Sequence, residues 1–191
     1  MNKASNSQAI VGQEIIMTKW AGLEGTAIIA SSKEQELLTK YTSSFVDSAK
    51  RLSDYISVVA EVEIANDFAA DLIYEVKEGG VFGALWEIGV ASKVGIEVDL
   101  QKIKLKQETV EICEFFDLNP YMLISTGSTL IVTDQANRLV DKLNGAGIVA
   151  VAIGYITRSN KRIIKNGKER RYLEPSRKDE LYKVIKNIQN I

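Results

Sequence analysis

Two adjacent glycines, placed between an apolar run and a helix-like segment, have the arrangement of a phosphate-binding turn. Residues 72–76 (LIYEV) predict a short buried strand, and Gly79 and Gly80 follow soon after it. A helix that starts near Val81 has free backbone N–H groups in its first turn, which attract anions, and glycine leaves room for a phosphate oxygen. We therefore predict that Gly79, Gly80 and Val81 face a phosphate; the alternative is a tight turn that only lets the helix pack on a sheet.

Polar side chains near this turn complete the predicted site. Glu75 would orient water or a metal ion, and Lys77 would hold a phosphate as a point charge. Thr126, Gly127 and Ser128 form a second turn that would close the opposite side of the site. The alternatives are a surface carboxylate for Glu75 and a plain turn for the other three residues.

A second strand–glycine–helix junction lies near the start of the chain. Residues 14–20 predict a strand, and residues 23–30 predict a short helix with a glycine near its start. Lys19 and Glu24 flank this junction and would face the same cleft as the glycine pair if both junctions face one ligand. An exposed or cap-forming pair is the alternative for these two residues.

The composition of the chain excludes several kinds of chemistry. Its 191 residues include no histidine, which removes the usual partner of a nucleophilic serine or cysteine and the commonest zinc ligand. The one cysteine, Cys113, lies in an amphipathic segment that predicts a buried thiol. Chemistry would therefore rest on carboxylates, lysines, backbone amides or bound Mg²⁺. The pattern assigns neither a catalytic residue nor a metal ligand.

Length and charge are those of an ordinary single domain. Apolar residues make up 46% and charged residues 26% of the chain, and the net charge of -1 favours neither nucleic acid nor membranes. Residues 1–10 predict a disordered start, and residues 11–191 predict one domain. No apolar run reaches the roughly 18 residues that a membrane span needs, and no signal segment opens the chain. A cytoplasmic protein is expected.

Strands and helices alternate along the chain, which predicts an α/β fold with a mixed sheet covered by helices. Residues 94–100 alternate in polarity like a half-buried strand, and residues 148–156 are the most apolar β-branched run and predict a central strand. The remaining predictions are a strand at 129–133, helices at 34–53, 58–66, 107–117, 134–143 and 178–188, and the N-caps Ser57 and Asp134.

A basic hairpin is predicted over residues 158–171, which include seven basic residues and one acidic residue. Asn166 and Gly167 are residues typical of a type I′ turn. Such a hairpin would contact nucleic-acid phosphates, but aromatic residues for base stacking are sparse around it. An exposed edge hairpin, whose charges discourage strand pairing, is therefore the favoured interpretation, and nucleic acid is not an expected partner.

Several motifs follow one another at the spacing found in one protein family. They are residues 18–27 (TKWAGLEGTA), 79–87 (GGVFGALWE), 94–99 (VGIEVD), 107–109 (QET) and 119–127 (NPYMLISTG). In this order they resemble the carboxy-terminal domain of aminoimidazole-ribonucleotide (AIR) synthetase-related proteins. That family includes AIR synthetase, selenophosphate synthetase, thiamine-monophosphate kinase and the hydrogenase-maturation carbamoyl dehydratase.

The resemblance implies a three-layer α/β/α domain, partly ferredoxin-like, from an enzyme that uses ATP and Mg²⁺ to phosphorylate an amide-type oxygen or sulfur. In the family, a separate amino-terminal domain binds the nucleotide and makes much of a dimer interface. The resemblance therefore implies three partners: that missing amino-terminal domain, a second copy in a homodimer, and a phosphate-bearing small molecule. A chain of this length leaves no room for the nucleotide domain, so we do not expect activity from it alone.

Two departures from the family pattern leave the function open. The family places Asp-X-Thr before the glycines, whereas this chain has Glu75 and Lys77 at the positions of the aspartate and the threonine. The hydrogenase-maturation enzyme ends in a reactive cysteine, whereas this chain ends in Ile191. One interpretation is the ligand-binding part of an ATP-dependent enzyme. The other is a non-catalytic binding or dimerisation module that keeps the scaffold.

Overall fold

A seven-stranded sheet runs through the part of the chain that this computed structural model describes, residues 8–175 and 178–185. The strands are β1 (Glu14–Thr18), β2 (Leu72–Glu75), β3 (Gly95–Asp99), β4 (Thr129–Thr133), β5 (Ala150–Thr157), β6 (Arg162–Asn166) and β7 (Glu169–Tyr172). The α-helices are α1 (Leu23–Ser32), α2 (Glu34–Leu37), α3 (Ser43–Lys50), α4 (Val59–Asp67), α5 (Gly80–Ala91), α6 (Gln107–Phe116) and α7 (Ala136–Gly145). Short 3₁₀ helices cover Arg51–Tyr55, Leu100–Lys102, Pro120–Met122 and Glu180–Lys183.

The strand order is β2-β4-β1-β5-β3-β6-β7. Neighbouring strands are antiparallel except for β3 and β6, which run parallel. The predicted mixed sheet is therefore confirmed. The apolar run that predicted a central strand forms β5, which lies between β1 and β3.

Helices cover both faces of the sheet. On one face, α5 contributes Val81, Leu85 and Ile88 to a core that includes residues of β1, β3, β4, β5 and β6. On the opposite face, α4 and α7 contribute Ala65 and Leu139 to a second core. Apolar residues of α1, α2, α3 and α6 form a third cluster. The predicted α/β fold with helices on both faces of a mixed sheet is therefore confirmed.

The second face of the sheet is covered unevenly. Its core includes residues of β1, β2, β4 and β5, whereas the described residues of β3, β6 and β7 contribute none. Glu97 points to this side of β3, because its neighbours in the strand belong to the core under α5. Its carboxylate accepts hydrogen bonds from Tyr155, Lys165 and Arg170 (2.7 Å from Arg170 Nη2). Residues of four strands therefore meet at one carboxylate. The sequence pattern predicted that this strand is half-buried, but β3 is buried over most of its length.

The single helix predicted over residues 34–53 is wrong. The chain forms α2, α3 and a 3₁₀ helix there instead. Thr42 starts α3, because its Oγ1 accepts a hydrogen bond from the Phe45 N–H (3.3 Å). A hydroxyl-rich segment, residues 41–44, thus interrupts a helix that apolar spacing alone would continue.

The predicted N-caps of α4 and α7 are also wrong. Val58 and Gln135 occupy the two cap positions, and neither side chain caps its helix. Ser57 instead offers its carbonyl oxygen to the Lys19 ammonium group (2.5 Å). Asp134 lies one residue before the cap of α7. The prediction from residue type alone therefore put each cap one residue before its observed position.

The basic hairpin forms, but its turn differs from the prediction. Asn166 pairs with Glu169, so the two loop residues are Gly167 and Lys168. Of these two, Gly167 alone has a positive φ (60°), whereas a type I′ turn requires a positive φ at both positions. The type I′ assignment is therefore wrong.

The two ends of the described chain pack against the domain. Ala9 is buried, and its N–H donates to Ser92 Oγ (3.0 Å). At the other end, a helix is predicted over residues 178–188, of which the described residues 178–185 form only the 3₁₀ helix Glu180–Lys183; residues 186–191 lie outside the described part. Every described helix is too short or too polar to cross a membrane.

Replacing Glu97 by glutamine should make stability less dependent on pH. Hydrogen bonds from Lys165 and then Tyr155 hold the pKa of Glu97 below its ordinary value of 4.5. The ionised carboxylate therefore stabilises the fold above that pH, and this stabilisation is lost as the pH falls through the lowered pKa. Urea denaturation of Glu97→Gln should show a lower midpoint than the wild type near pH 7 and a smaller loss towards about pH 3.

Glu169→Gln, on the exposed strand β7, is the matched control for Glu97→Gln, because it removes the same charge from an exposed position. Its midpoints should follow those of the wild type at both pH values. An unchanged pH dependence in Glu97→Gln would contradict the role assigned to this carboxylate.

Candidate functional site

The two strand–glycine–helix junctions lie at the same edge of the sheet. β1 and β2 both pair antiparallel with β4, so their carboxyl ends flank the first residue of β4, Thr129. α1 begins soon after β1, and α5 begins soon after β2. The structure thus brings the junctions together on the two sides of the segment that leads into β4, residues 121–128.

At the start of α5, a backbone amide is bound to a carboxylate. Gly79 is the N-cap and has a left-handed conformation (φ 83°), and Gly80 also has a positive φ (63°). The Gly79 N–H donates to Asp179 Oδ2 (2.7 Å), and the Gly80 N–H donates to the carbonyl oxygen of Lys77 (3.1 Å). The Gly79 amide, which we predicted to face a phosphate, is therefore bound to a negative group of the chain itself.

Asp179 is a buried carboxylate that the sequence patterns did not reveal. It is 3% exposed, and it accepts further hydrogen bonds from the backbone N–H groups of Leu181 (2.9 Å) and Ile124. Burial raises the pKa of Asp179, and the three backbone hydrogen bonds oppose that rise. The residue lies 100 positions after Gly79, in a segment predicted to be an ordinary helix, so no local pattern connects the two.

Glycines of both junctions allow close packing around Leu123. This side chain is fully buried, and a Cβ added to Gly25 would lie 2.4 Å from it. A Cβ added to Gly22 would also lie within 3.4 Å of Leu123. A Cβ on Gly80 would lie 2.6 Å from the carbonyl oxygen of Tyr121. For Gly80 this geometry favours the packing alternative, because backbone atoms fill the space where a ligand atom would approach.

Two serines connect the segment before β4 to both junctions. Ser125, which the sequence prediction missed, is buried, and its Oγ accepts a hydrogen bond from the Gly22 N–H (2.7 Å). Ser128 Oγ donates to the carbonyl oxygen of Trp20 (2.6 Å), and the Ser128 carbonyl accepts from the Val76 N–H (2.9 Å). The two hydroxyl groups thus hold the segment before β4 to the first junction, and the Ser128 carbonyl oxygen holds it to the second.

The rest of the predicted closing turn packs against the 3₁₀ helix that follows α3. Gly127 has a φ of 101°, and a Cβ on it would lie 2.7 Å from both Ile56 Cα and the Tyr55 carbonyl oxygen. Thr126 is partly buried beside it. The structure therefore places this turn against residues 55 and 56, where its glycine is needed for close approach.

Lys19 is bound to the same part of the chain. Its Nζ donates to the carbonyl oxygens of Tyr55 (2.9 Å) and Ser57 (2.5 Å) and forms an ion pair with Glu61 (2.6 Å). Glu61 is 1% exposed, so this pair is buried. Two hydrogen bonds to backbone carbonyl groups and one ion pair thus hold the ammonium group within the protein. Glu24 lies in the first turn of α1, and among the described residues its Oε2 has no hydrogen-bond partner.

Lys77 is the predicted site cation that remains open to solvent. Its side chain is 67% exposed, and its Nζ lies 3.3 Å from Oε2 of Glu75, which is one-third exposed. Lys77 precedes Gly79 by two residues. Its positive charge therefore lies on the chain segment that leads directly into α5.

A groove of about 1110 Å³ opens beside Asp179. Its lining includes Phe82, Arg171, Tyr172 and Lys178 as well as Asp179 itself. Aromatic and basic side chains together are suited to an organic anion. The described residues hold no group of three or more acidic or cysteine side chains that would bind a metal ion.

A mixed sheet between helices, with a glycine-bounded helix start whose first amide is bound to a carboxylate of the chain itself, defines this protein as an α/β domain. The chain belongs to the family described as AIR synthase related protein, C-terminal domain, which matches residues 11–165. This match confirms the family that the sequence motifs indicated.

Two curated relatives are similar to part of the chain. Carbamoyl dehydratase HypE from Rhizobium leguminosarum bv. viciae is 26% identical over 149 residues, which are 76% of this chain and 41% of that protein. A putative hydrogenase expression/formation protein from Methanocaldococcus jannaschii is 27% identical over 150 residues, which are 74% of this chain and 45% of that protein. The chain spans less than half the length of these relatives.

Solved structures share the fold. The crystal structure of E. coli HypE, a hydrogenase maturation protein, has a TM-score of 0.77 at 16% identity. The matched region covers 94% of this chain and 55% of the E. coli chain. HypE in complex with ATP has a TM-score of 0.65 at 16% identity, covering 89% and 52%. A HypE–HypF complex has a TM-score of 0.66 at 18% identity, covering 88% and 54%. Relatives with this fold thus include one bound to ATP and one bound to another protein.

Lys19→Met should strongly destabilise the protein. The substitution leaves the Glu61 carboxylate buried without its cation, which costs about 3–5 kcal/mol. Urea denaturation measures this loss. Lys33→Met, which removes the cation of a surface pair with Glu36, should cost no more than about 1 kcal/mol. A double variant, Lys19→Met with Glu61→Leu, should recover much of the lost unfolding free energy. Equal stability of Lys19→Met and Lys33→Met would show that the pair of Lys19 with Glu61 is not a buried ion pair.

Leu123→Ala should also destabilise the protein, because it leaves a cavity between the two helix starts. The expected loss is about 2–5 kcal/mol of unfolding free energy. Leu38→Ala, at an exposed position, is the control and should change the unfolding free energy by less than about 1 kcal/mol. A loss no larger than that of the control would mean that the glycines do not close around this side chain.

Proposed function

We propose that this chain is the phosphate- and ligand-binding domain of an ATP-dependent enzyme of the AIR synthetase or hydrogenase-maturation type. Such an enzyme activates an amide-type oxygen or sulfur by phosphorylation. The observation that carries the proposal is the hydrogen bond from the Gly79 N–H to the Asp179 carboxylate (2.7 Å). The start of α5 already accepts one anionic oxygen there, and a phosphate oxygen has the same charge and acceptor chemistry.

In this proposal a phosphate oxygen takes the place of the Asp179 carboxylate. The N–H groups of Gly79 and Val81 donate to it, since both belong to the first turn of α5. Lys77 adds positive charge from the preceding segment, and Glu75 holds the lysine in position and orients water. The groove beside Asp179 receives the rest of the ligand.

Family enzymes that use ATP also use Mg²⁺, which binds to carboxylate oxygens. Within residues 8–175 and 178–185, no cluster of three acidic side chains is available for a metal ion. The curated relatives are more than twice as long as the part that this chain matches. We therefore assign the metal ligands and the nucleotide site to a separate amino-terminal domain, which acts together with this one in a homodimer.

A second candidate function is a non-catalytic binding or dimerisation module. It is favoured by the packing of Gly80 against the backbone at Tyr121 and by the acidic and basic residues, Glu75 and Lys77, that replace the usual family sequence. The two candidates differ in their response to Mg²⁺ and ATP. Hydrolysis by this chain mixed with an amino-terminal family domain would support the enzyme, whereas nucleotide binding without hydrolysis in the mixture would support the module.

Binding of inorganic phosphate to the full chain tests the site directly. The backbone amide signals of Gly79 and Val81 should shift in ¹⁵N NMR titrations. Lys77→Met should weaken this binding roughly twofold to fivefold, because an exposed charge contributes up to about 1 kcal/mol. Lys93→Met, which removes the same charge beyond the opposite end of α5, should bind like the wild type.

Two results would reject this site. One is the absence of any phosphate-dependent shift at Gly79 and Val81 in the wild type. The other is an equal loss of affinity in Lys77→Met and Lys93→Met, which would mean that phosphate responds only to the overall charge of the protein.

A further inference from the structure

The segment at residues 178–185, named the strap here, crosses the start of α5 and is held by two carboxylates. Asp179 accepts the hydrogen bond from Gly79, as described above. Glu180 Oε2 accepts a hydrogen bond from the Asn119 N–H (3.0 Å). The strap is thus tied both to the helix start and to the segment that precedes β4.

Apolar side chains anchor the far part of the strap. Leu181 and Ile185 are buried in the cluster formed by α1, α2, α3 and α6. The hydroxyl group of Tyr182 is hydrogen-bonded to the Glu78 carboxylate, next to Gly79. The strap therefore has an apolar part fixed among helices and a polar part, Asp179. This carboxylate occupies the amide site, which is the position where the Gly79 N–H donates its hydrogen bond.

Asp179 is held differently from the other buried carboxylates. Glu61, Glu97 and Glu180 each pair with a cation, whereas the described contacts of Asp179 are backbone N–H groups. Glu78 adds a negative charge nearby. Backbone donors bind any anionic oxygen of suitable size, so another anion can replace this carboxylate without leaving a cation unpaired.

We infer that the strap gates the phosphate site: the Asp179 carboxylate is an internal competitor that must leave the Gly79 amide before a phosphate group binds there. This inference rests on the proposed phosphate site and adds its regulation. Two anions cannot share one amide at hydrogen-bond distance, since their repulsion and the loss of the donor both oppose it. Ligand binding therefore releases the polar part of the strap, and docking of the strap lowers the affinity for ligand by the same factor.

The groove provides the route for this exchange. Asp179 lines the groove although it is nearly inaccessible to solvent, so a ligand in the groove lies next to the carboxylate that it replaces. Arg171 and Lys178 line the same groove and attract a phosphate-bearing ligand. Leu181 and Ile185 keep the strap attached to the domain after Asp179 has moved out.

Phosphate titrations of three full-length proteins test the gate. Asp179→Asn removes the charge of the competitor and keeps its size, so its Kd for inorganic phosphate should be at least about tenfold lower than that of the wild type. Glu174→Gln removes the same charge from an exposed position on the groove and should change the Kd by less than about twofold. In the wild type, the amide signals of Leu181 and Ile124 should shift with the same Kd as that of Gly79, because both lose their acceptor.

A further variant tests the gate if Asp179→Asn does not fold. Glu180→Gln weakens the strap at Asn119 and leaves the amide site unchanged, so it should also lower the Kd for phosphate, by about twofold to threefold. Circular dichroism melts verify that each variant is folded before it is titrated.

The outcomes separate the gate from the site. If wild type and Asp179→Asn bind phosphate at Gly79 with equal Kd, the site stands and the gate is refuted. If Glu174→Gln gains as much affinity as Asp179→Asn, charge in the groove explains the gain and the gate is again refuted. If no protein shows a shift at Gly79, the phosphate site fails, and the gate fails with it.

Discussion

The close approach of the segment around Leu123 to two helix starts is the contact on which the rest of the structure depends. Gly22, Gly25 and Gly80 each lack the side chain that would collide with this segment or with its neighbours. A larger residue at any of them would push α1 or α5 away, together with the strand that leads into the helix. Ile124, the next residue, donates to Asp179. The same contact thus sets the geometry of the amide site.

Buried carboxylates organise the edges of this domain in different ways. Glu61 pairs with Lys19 and joins the end of β1 to α4, and Glu97 joins four strands through two cations and a tyrosine. Both are fixed by partners that would be costly to separate. Asp179 is held by backbone donors, at the helix start where we propose that a phosphate group binds. Exchange is therefore easiest at the carboxylate closest to the groove.

Local patterns predicted much of the fold and less of the site. The strand at 129–133 has the predicted bounds, because five consecutive residues favour strand and are buried on both faces. The glycine pair marks the start of α5 because its positive φ values suit few other residues. The contact between Gly79 and Asp179 was not predictable, since it depends on how distant segments pack. The break at Thr42 was missed because a hydroxyl group competes with an apolar pattern that continues past it.

The pairing of the strands has a consequence for how this chain folds during synthesis. Strands β1, β2 and β3 pair with β4, β5 and β6 and never with one another. The first sheet hydrogen bonds therefore require residues from 129 onwards, and β1 waits for partners more than 100 residues away. Such long-range pairing slows folding and leaves apolar strands exposed on the nascent chain. Until β4 leaves the ribosome, strands β1, β2 and β3 therefore lack the sheet partners that they have in the described fold.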